Sequence, residues 1–165
     1  MNVRLNLPSI MSASKLVLPP QYSRRILIAS SVMSASAVSA YYNGCYDNCV
    51  LAVLVLCSSL NYWRHPTFGV RRSFDMLCAN GSLAYQVFYT SQRSECSSKA
   101  RMAYLFTVMC GGTCYFAARR FNFRYRNLNI SSALHVCLHL FGNLGNLILY
   151  DSLGANALGL GHNRQ

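Results

Sequence analysis

Charge in this chain comes in short clusters separated by apolar runs about 17 to 20 residues long, and this spacing constrains the fold more than any other feature. A helix needs about 20 residues to cross the hydrocarbon core of a bilayer, so each run is long enough for a crossing. Charged residues make up 12% of the 165, against roughly 25% in soluble domains, and 53% are apolar. So little charge cannot cover a water-facing surface. The expected fold class is all-α: an integral membrane helical bundle of about five transmembrane helices.

The runs place candidate spans at 25–42, 46–62, 74–90, 102–118 and 131–150. This divides the chain into a basic N-terminal segment (1–24), a transmembrane bundle (25–150) and a Gly-rich tail (151–165). The first span, "RILIASSVMSASAVSAYY", is rich in Ser and Ala. With Arg24 and Arg25 before it and "AVSA" at its end, it also has the form of a cleavable signal peptide. The acid-free, Ser-rich N-terminal stretch equally permits an organelle transit sequence, so the compartment stays open.

Eleven of the fifteen Lys and Arg residues fall on one side of this map: Arg4, Lys15, Arg24, Arg25, Arg64, Arg71, Arg72, Arg119, Arg120, Arg124 and Arg126. Arg93, Lys99, Arg101 and Arg164 fall on the other. The positive-inside bias then places the N-terminus inside and the C-terminus outside. Asp47, Glu95 and Asp151 fall outside, and Asp75 alone lies at the inner face. Because the basic residues flank apolar runs and form no continuous stripe, the net charge of +11 points to membrane lipids as partners and away from nucleic acid. Even "RRFNFRYR" has the character of an interfacial loop.

Of the eight cysteines, Cys57, Cys78, Cys110, Cys114 and Cys137 fall within spans as small packing residues. Cys45, Cys49 and Cys96 are expected on the outer side, where an oxidising compartment would permit one bridge. No C-x-x-C pair occurs. The Asn-x-Ser sites at Asn80 and Asn129 fall in a span and an inner loop, where glycosylation is not expected.

At about 100° per residue, His135, His139, Asn143 and Asn146 share one face of the last span. Asp75, Ser82, Gln86 and Tyr89 share a face of the third, and Ser58, Asn61 and Tyr62 one of the second, which Pro66 ends. Thr107, Cys110, Gly111 and Cys114 form a small-residue strip on the fourth. Such faces cannot point at lipid. Ser58, Asp75 and His135 are expected at similar depth, so the stripes can converge in an inner-leaflet pocket or form a hydrogen-bonded seam between helices. The i, i+4 spacing of His135 and His139 lets both imidazoles reach one zinc, with Asp75 as base or ligand. The structural alternative for Asp75 is a salt bridge to Arg71 or Arg72, or a helix cap. Haem and di-iron chemistry are disfavoured by the geometry and number of histidines.

The segments "SSLNYWRHPTFGVRRSFD" and "HVCLH" resemble the superfamily of membrane hydrolases that contains alkaline ceramidases, adiponectin receptors and GPI-remodelling lipid hydrolases. That resemblance implies a zinc bound by three histidines, with Asp75 and Ser58 supporting the bound water and His135 and His139 as two ligands. Where the family has its first histidine, four residues after the serine, this chain has Tyr62 after Ser58 and Trp63 after Ser59. His65 is the nearby substitute as third ligand. The family has seven spans. The segments "YWRHP…RRSFD" and "HVCLHLFGNLGN" also resemble small multi-span membrane proteins of microbial eukaryotes. Two functions are therefore expected in competition: a zinc-dependent hydrolase of lipid amides or esters, or a non-catalytic membrane protein, such as an accessory subunit partnered by other membrane subunits, whose polar residues form a packing seam.

Overall fold

The computed structural model describes residues 16–157. Arg4, Lys15, His162 and Arg164 lie outside the described residues, as do most of the N-terminal segment and the second half of the tail. The chain forms α1 (Pro20–Ser31), α2 (Met33–Tyr42), α3 (Tyr46–Trp63), α4 (Val70–Phe88), α5 (Ser98–Phe123) and α6 (Leu128–Ala157), with a 3-10 turn at Thr90–Gln92. Among the described residues there is no strand, only an isolated bridge between Leu16 and Thr67. The protein is all-helical. Each apolar run of the sequence lies on helix, and each basic cluster lies at or near a helix end.

The first run is divided between α1 and α2, which are separated by Val32 alone. Val32 keeps helical dihedrals, but its N–H bonds to the Ala29 carbonyl, three residues back. The serines explain the interruption. Ser30, Ser31 and Ser34 donate to the carbonyls of Ile26, Ile28 and Ser31, a back-bonding that bends helices. α3 ends at Trp63, three residues before Pro66, as expected of a residue that cannot continue a helix. α4 begins after Gly69, whose φ of 134° lies in the region that favours glycine. At α5 the Ser97 side chain accepts from the Ala100 N–H and satisfies one open donor of the first turn. α6 continues through residues 151–157, the first half of the expected tail.

Contacts between helices fix their directions. Along α5 and α6, Ala118 meets Ser131, Gly111 lies against Leu138, Gly145 against Thr107, and Ser97 bonds Ser152, so the two run antiparallel over their full length. α1 and α2 run parallel to α6: Arg25 donates to Asn129 at 2.6 Å near its start, and Asn43 packs on Gly154 near its end. The Trp63 and His135 rings, 4.9 Å apart, bring the end of α3 to the α6 start. One end of the bundle therefore collects Arg24, Arg25, Arg64, Arg71, Arg72, Arg119, Arg120, Arg124 and Arg126. The opposite end collects Asp47, Arg93, Glu95, Lys99, Arg101 and Asp151.

Apolar clusters around Leu149 and Tyr150 and around Ile26 and Trp63 are buried, but on α4 and α5 burial is inverted relative to a soluble protein. In α4 only Asp75, Ser82 and Gln86 are buried, whereas Phe74, Leu77, Leu83 and Phe88 are exposed. In α5, Met102, Phe106, Met109, Phe116 and Phe123 form an outward apolar stripe at helical spacing, while Thr107 and Gly111 face inward. Among the described residues one helix, over Leu128–Ala155, is long and apolar enough to cross a membrane by length and composition alone.

Candidate functional site: a polar interior

From His139 onward the stripe on α6 is met by polar partners. His139 Nε2 lies 3.5 Å from Ser30 Oγ on α1. Ser36 on α2 donates to Asn143 Oδ1 at 2.5 Å and accepts from Asn146 Nδ2 at 3.3 Å. One turn further, Gln86 of α4 donates to the Tyr150 hydroxyl at 2.7 Å and accepts from the Tyr104 hydroxyl of α5 at 3.1 Å. Among the described residues no buried side-chain nitrogen or oxygen lacks a partner. In a low-dielectric interior an unpaired polar group costs several kcal/mol, so complete pairing turns a liability into directional contacts between helices.

Asp75 sits where α4 packs on α3. Its Oδ1 accepts from Ser59 Oγ at 2.6 Å and from Ser58 Oγ at 3.1 Å, and Ser58 lies 3.1 Å from the Val55 carbonyl as well. The expected salt bridge to Arg71 or Arg72 does not form. An ion pair does form between Arg93 and Asp47, at the opposite end of the bundle. The face expected on α3 is shifted: Ser58, Ser59 and Tyr62 are buried, but Asn61 is exposed. Tyr89, expected in the α4 stripe, follows the helix end and is exposed. Its ring packs on Tyr85 at 5.0 Å and lies under the Arg93 guanidinium.

The site residues expected from sequence fall into two groups. Ser58 and Asp75 come together. His135 and His139 also come together, with ring centroids 5.3 Å apart, but their neighbours are Trp63 and Ser30. His65 is exposed in the turn after α3, its N–H bonded to the Tyr62 carbonyl. A catalytic zinc takes three protein ligands and an open position. Among the described residues no three His, Cys, Asp or Glu side chains gather to hold a metal.

Sequence reasoning missed Ser30 and Ser36. Their signal was available: buried Ser23, Ile26, Ser30, Met33, Ser36, Ala37 and Ala40 recur at helical spacing through the Ser-rich first run. A second polar cluster, at the opposite end from Asp75, was also missed. Tyr85 donates to Asp47 Oδ2 at 2.6 Å, Arg93 pairs with the same oxygen, and Thr90 donates to Asn48 at 3.1 Å. It ties the start of α3 to the end of α4 and the following turn. Cys45 and Cys96 are unbridged thiols within one buried cluster that includes Tyr104, Leu149 and Tyr150. Comparison with known families, curated proteins and solved structures finds no match.

Proposed function

We propose that this chain is a multi-span integral membrane protein of five crossings, with α1 and α2 together making the first, and that it acts as a non-catalytic bundle, such as an accessory subunit of a membrane complex. The observation that carries this reading is the inverted burial of α4: Asp75, Ser82 and Gln86 inside, Phe74, Leu77, Leu83 and Phe88 outside. In water such a helix would expose its apolar face and bury its polar one. In lipid the same arrangement is favourable, because the outward side chains match the hydrocarbon and the polar ones find partners inside. The charge distribution agrees, with nine arginines at one end as the positive-inside bias requires of the inner face. Extraction tests the reading. The chain should stay in the membrane pellet at alkaline pH and high salt and leave it in detergent; release by carbonate would contradict it.

A zinc-dependent hydrolase of lipid amides or esters is the second reading, and the contact of Ser58 and Ser59 with Asp75 favours it. Against it stand the separate partners of the histidine pair and the exposed position of His65. Metal analysis distinguishes the two. Stoichiometric zinc in the purified chain, lost on His135→Ala, would support the hydrolase; a metal-free parent supports the seam.

A further inference from the structure

We propose that the outward face of α5 near its C-terminus is a binding site for an anionic phospholipid, with Arg119 and Arg120 holding the phosphate, Phe116 beside the acyl chains and Phe123 at the headgroup rim. The inference rests on the membrane reading and adds a specific partner and place to it. A shallow groove is lined by Thr113, Phe116, Ala117, Arg119, Arg120 and Phe123. The short side chains of Thr113 and Ala117 lie beside a stripe made by Phe116 and Phe123, i and i+7 on the helix, whose rings are 70% and 68% exposed. Along the helix Thr113, Phe116 and Ala117 precede Arg119 and Arg120, and Phe123 follows them at the helix end, so most of the groove's apolar part lies deeper in the bundle's outer belt and its guanidinium groups lie nearer the basic end. A phospholipid has the same order, chains deep and phosphate at the rim.

Charge selects the occupant. Among the described residues no carboxylate pairs with Arg119 or Arg120. The Arg119 guanidinium is held 5.7 Å from the Phe123 ring centroid, which keeps it over the groove. Arg124 and Arg126 follow within one turn, and Arg24 and Arg25 stand at the same end. The acid nearest this end, Asp75, is buried against serines. Guanidinium groups donate paired N–H hydrogen bonds to phosphate oxygens, and long basic side chains reach from an apolar belt to the interface. A zwitterionic lipid brings a cation beside its phosphate into this basic field; an anionic lipid does not.

The test is native mass spectrometry of the full chain in detergent, titrated with dioleoyl phosphatidylglycerol or dioleoyl phosphatidylcholine. Each arginine near an anionic headgroup is worth about fivefold, so about 25-fold tighter binding of phosphatidylglycerol is expected. The Arg119→Gln/Arg120→Gln variant should bring the two lipids to near parity, while Arg71→Gln/Arg72→Gln, at the same end but outside the groove, should keep most of the preference. Equal binding by the parent, or a preference that survives Arg119→Gln/Arg120→Gln, would overturn the proposal. So would displacement of phosphatidylglycerol by an RNA oligonucleotide, which would assign the patch to a different partner. A chain that resists carbonate extraction yet shows no lipid preference defeats this inference alone; one released by carbonate defeats the membrane reading with it.

Discussion

Asp75 accepts two hydroxyl hydrogen bonds on one oxygen, at the packed junction of α3 and α4, with no cation beside it. Its role in the bundle is therefore that of an acceptor. Asp75→Ala leaves two serine hydroxyls without their partner and should cost about 1 to 3 kcal/mol in detergent unfolding, while Asp75→Asn, which keeps a carbonyl oxygen, should cost less than half of that. Equal damage from both would show that the negative charge is what the site needs. For the histidines the expected order is set by their neighbours. His135→Ala removes a ring packed on Trp63 and should cost about 1 to 2 kcal/mol. His139→Ala should cost less, because Ser30 already bonds the Ile26 carbonyl at 2.9 Å. Thermal unfolding of the two variants checks the order; a larger loss at His139 would contradict it.

At the scale of the elements, close helix approach depends on particular glycines. A Cβ at Gly145 would strike the Thr107 side chain and sit 3.2 Å from Tyr104, and one at Gly154 would overlap the Asn43 side chain. At Gly112 it would meet nothing within 4 Å. Gly145→Ala and Gly154→Ala should each destabilise by about 1 to 3 kcal/mol through overpacking. Gly112→Ala should be neutral or stabilising by up to about 1 kcal/mol, since alanine favours helix. Denaturant titration in detergent measures all three, and a tolerated Gly145→Ala would mean that α5 and α6 pack less closely than described. The helices themselves were legible because apolar runs bounded by basic clusters leave little choice of secondary structure. Their ends were not. α5 extends through Arg119 and Arg120 to Phe123, and α6 extends past Asp151, because charged turns continue a helix wherever packing supports it. The break at Val32 depends on serine back-bonding that composition alone does not reveal. The polar faces of α4 and α6 could be derived from periodicity, but their partners could not. Which helix stands opposite His135 is decided by the assembly of the bundle, and it places Trp63 there instead of Asp75.

For the whole molecule, we propose a bundle with an apolar outer belt and polar seams between its helices that crosses the bilayer five times with its basic end on one side. Engineered cysteines report this directly. Phe68→Cys, in the α3–α4 turn, and Phe123→Cys, at the end of α5, lie at the basic end; Ser94→Cys, after the 3-10 turn, lies at the opposite end. On a background with the native cysteines replaced, a membrane-impermeant maleimide applied to sealed vesicles should label Phe68→Cys and Phe123→Cys from one face and Ser94→Cys only from the other. Labelling of Phe68→Cys and Phe123→Cys from opposite faces, or of all three from the same face, would contradict the account.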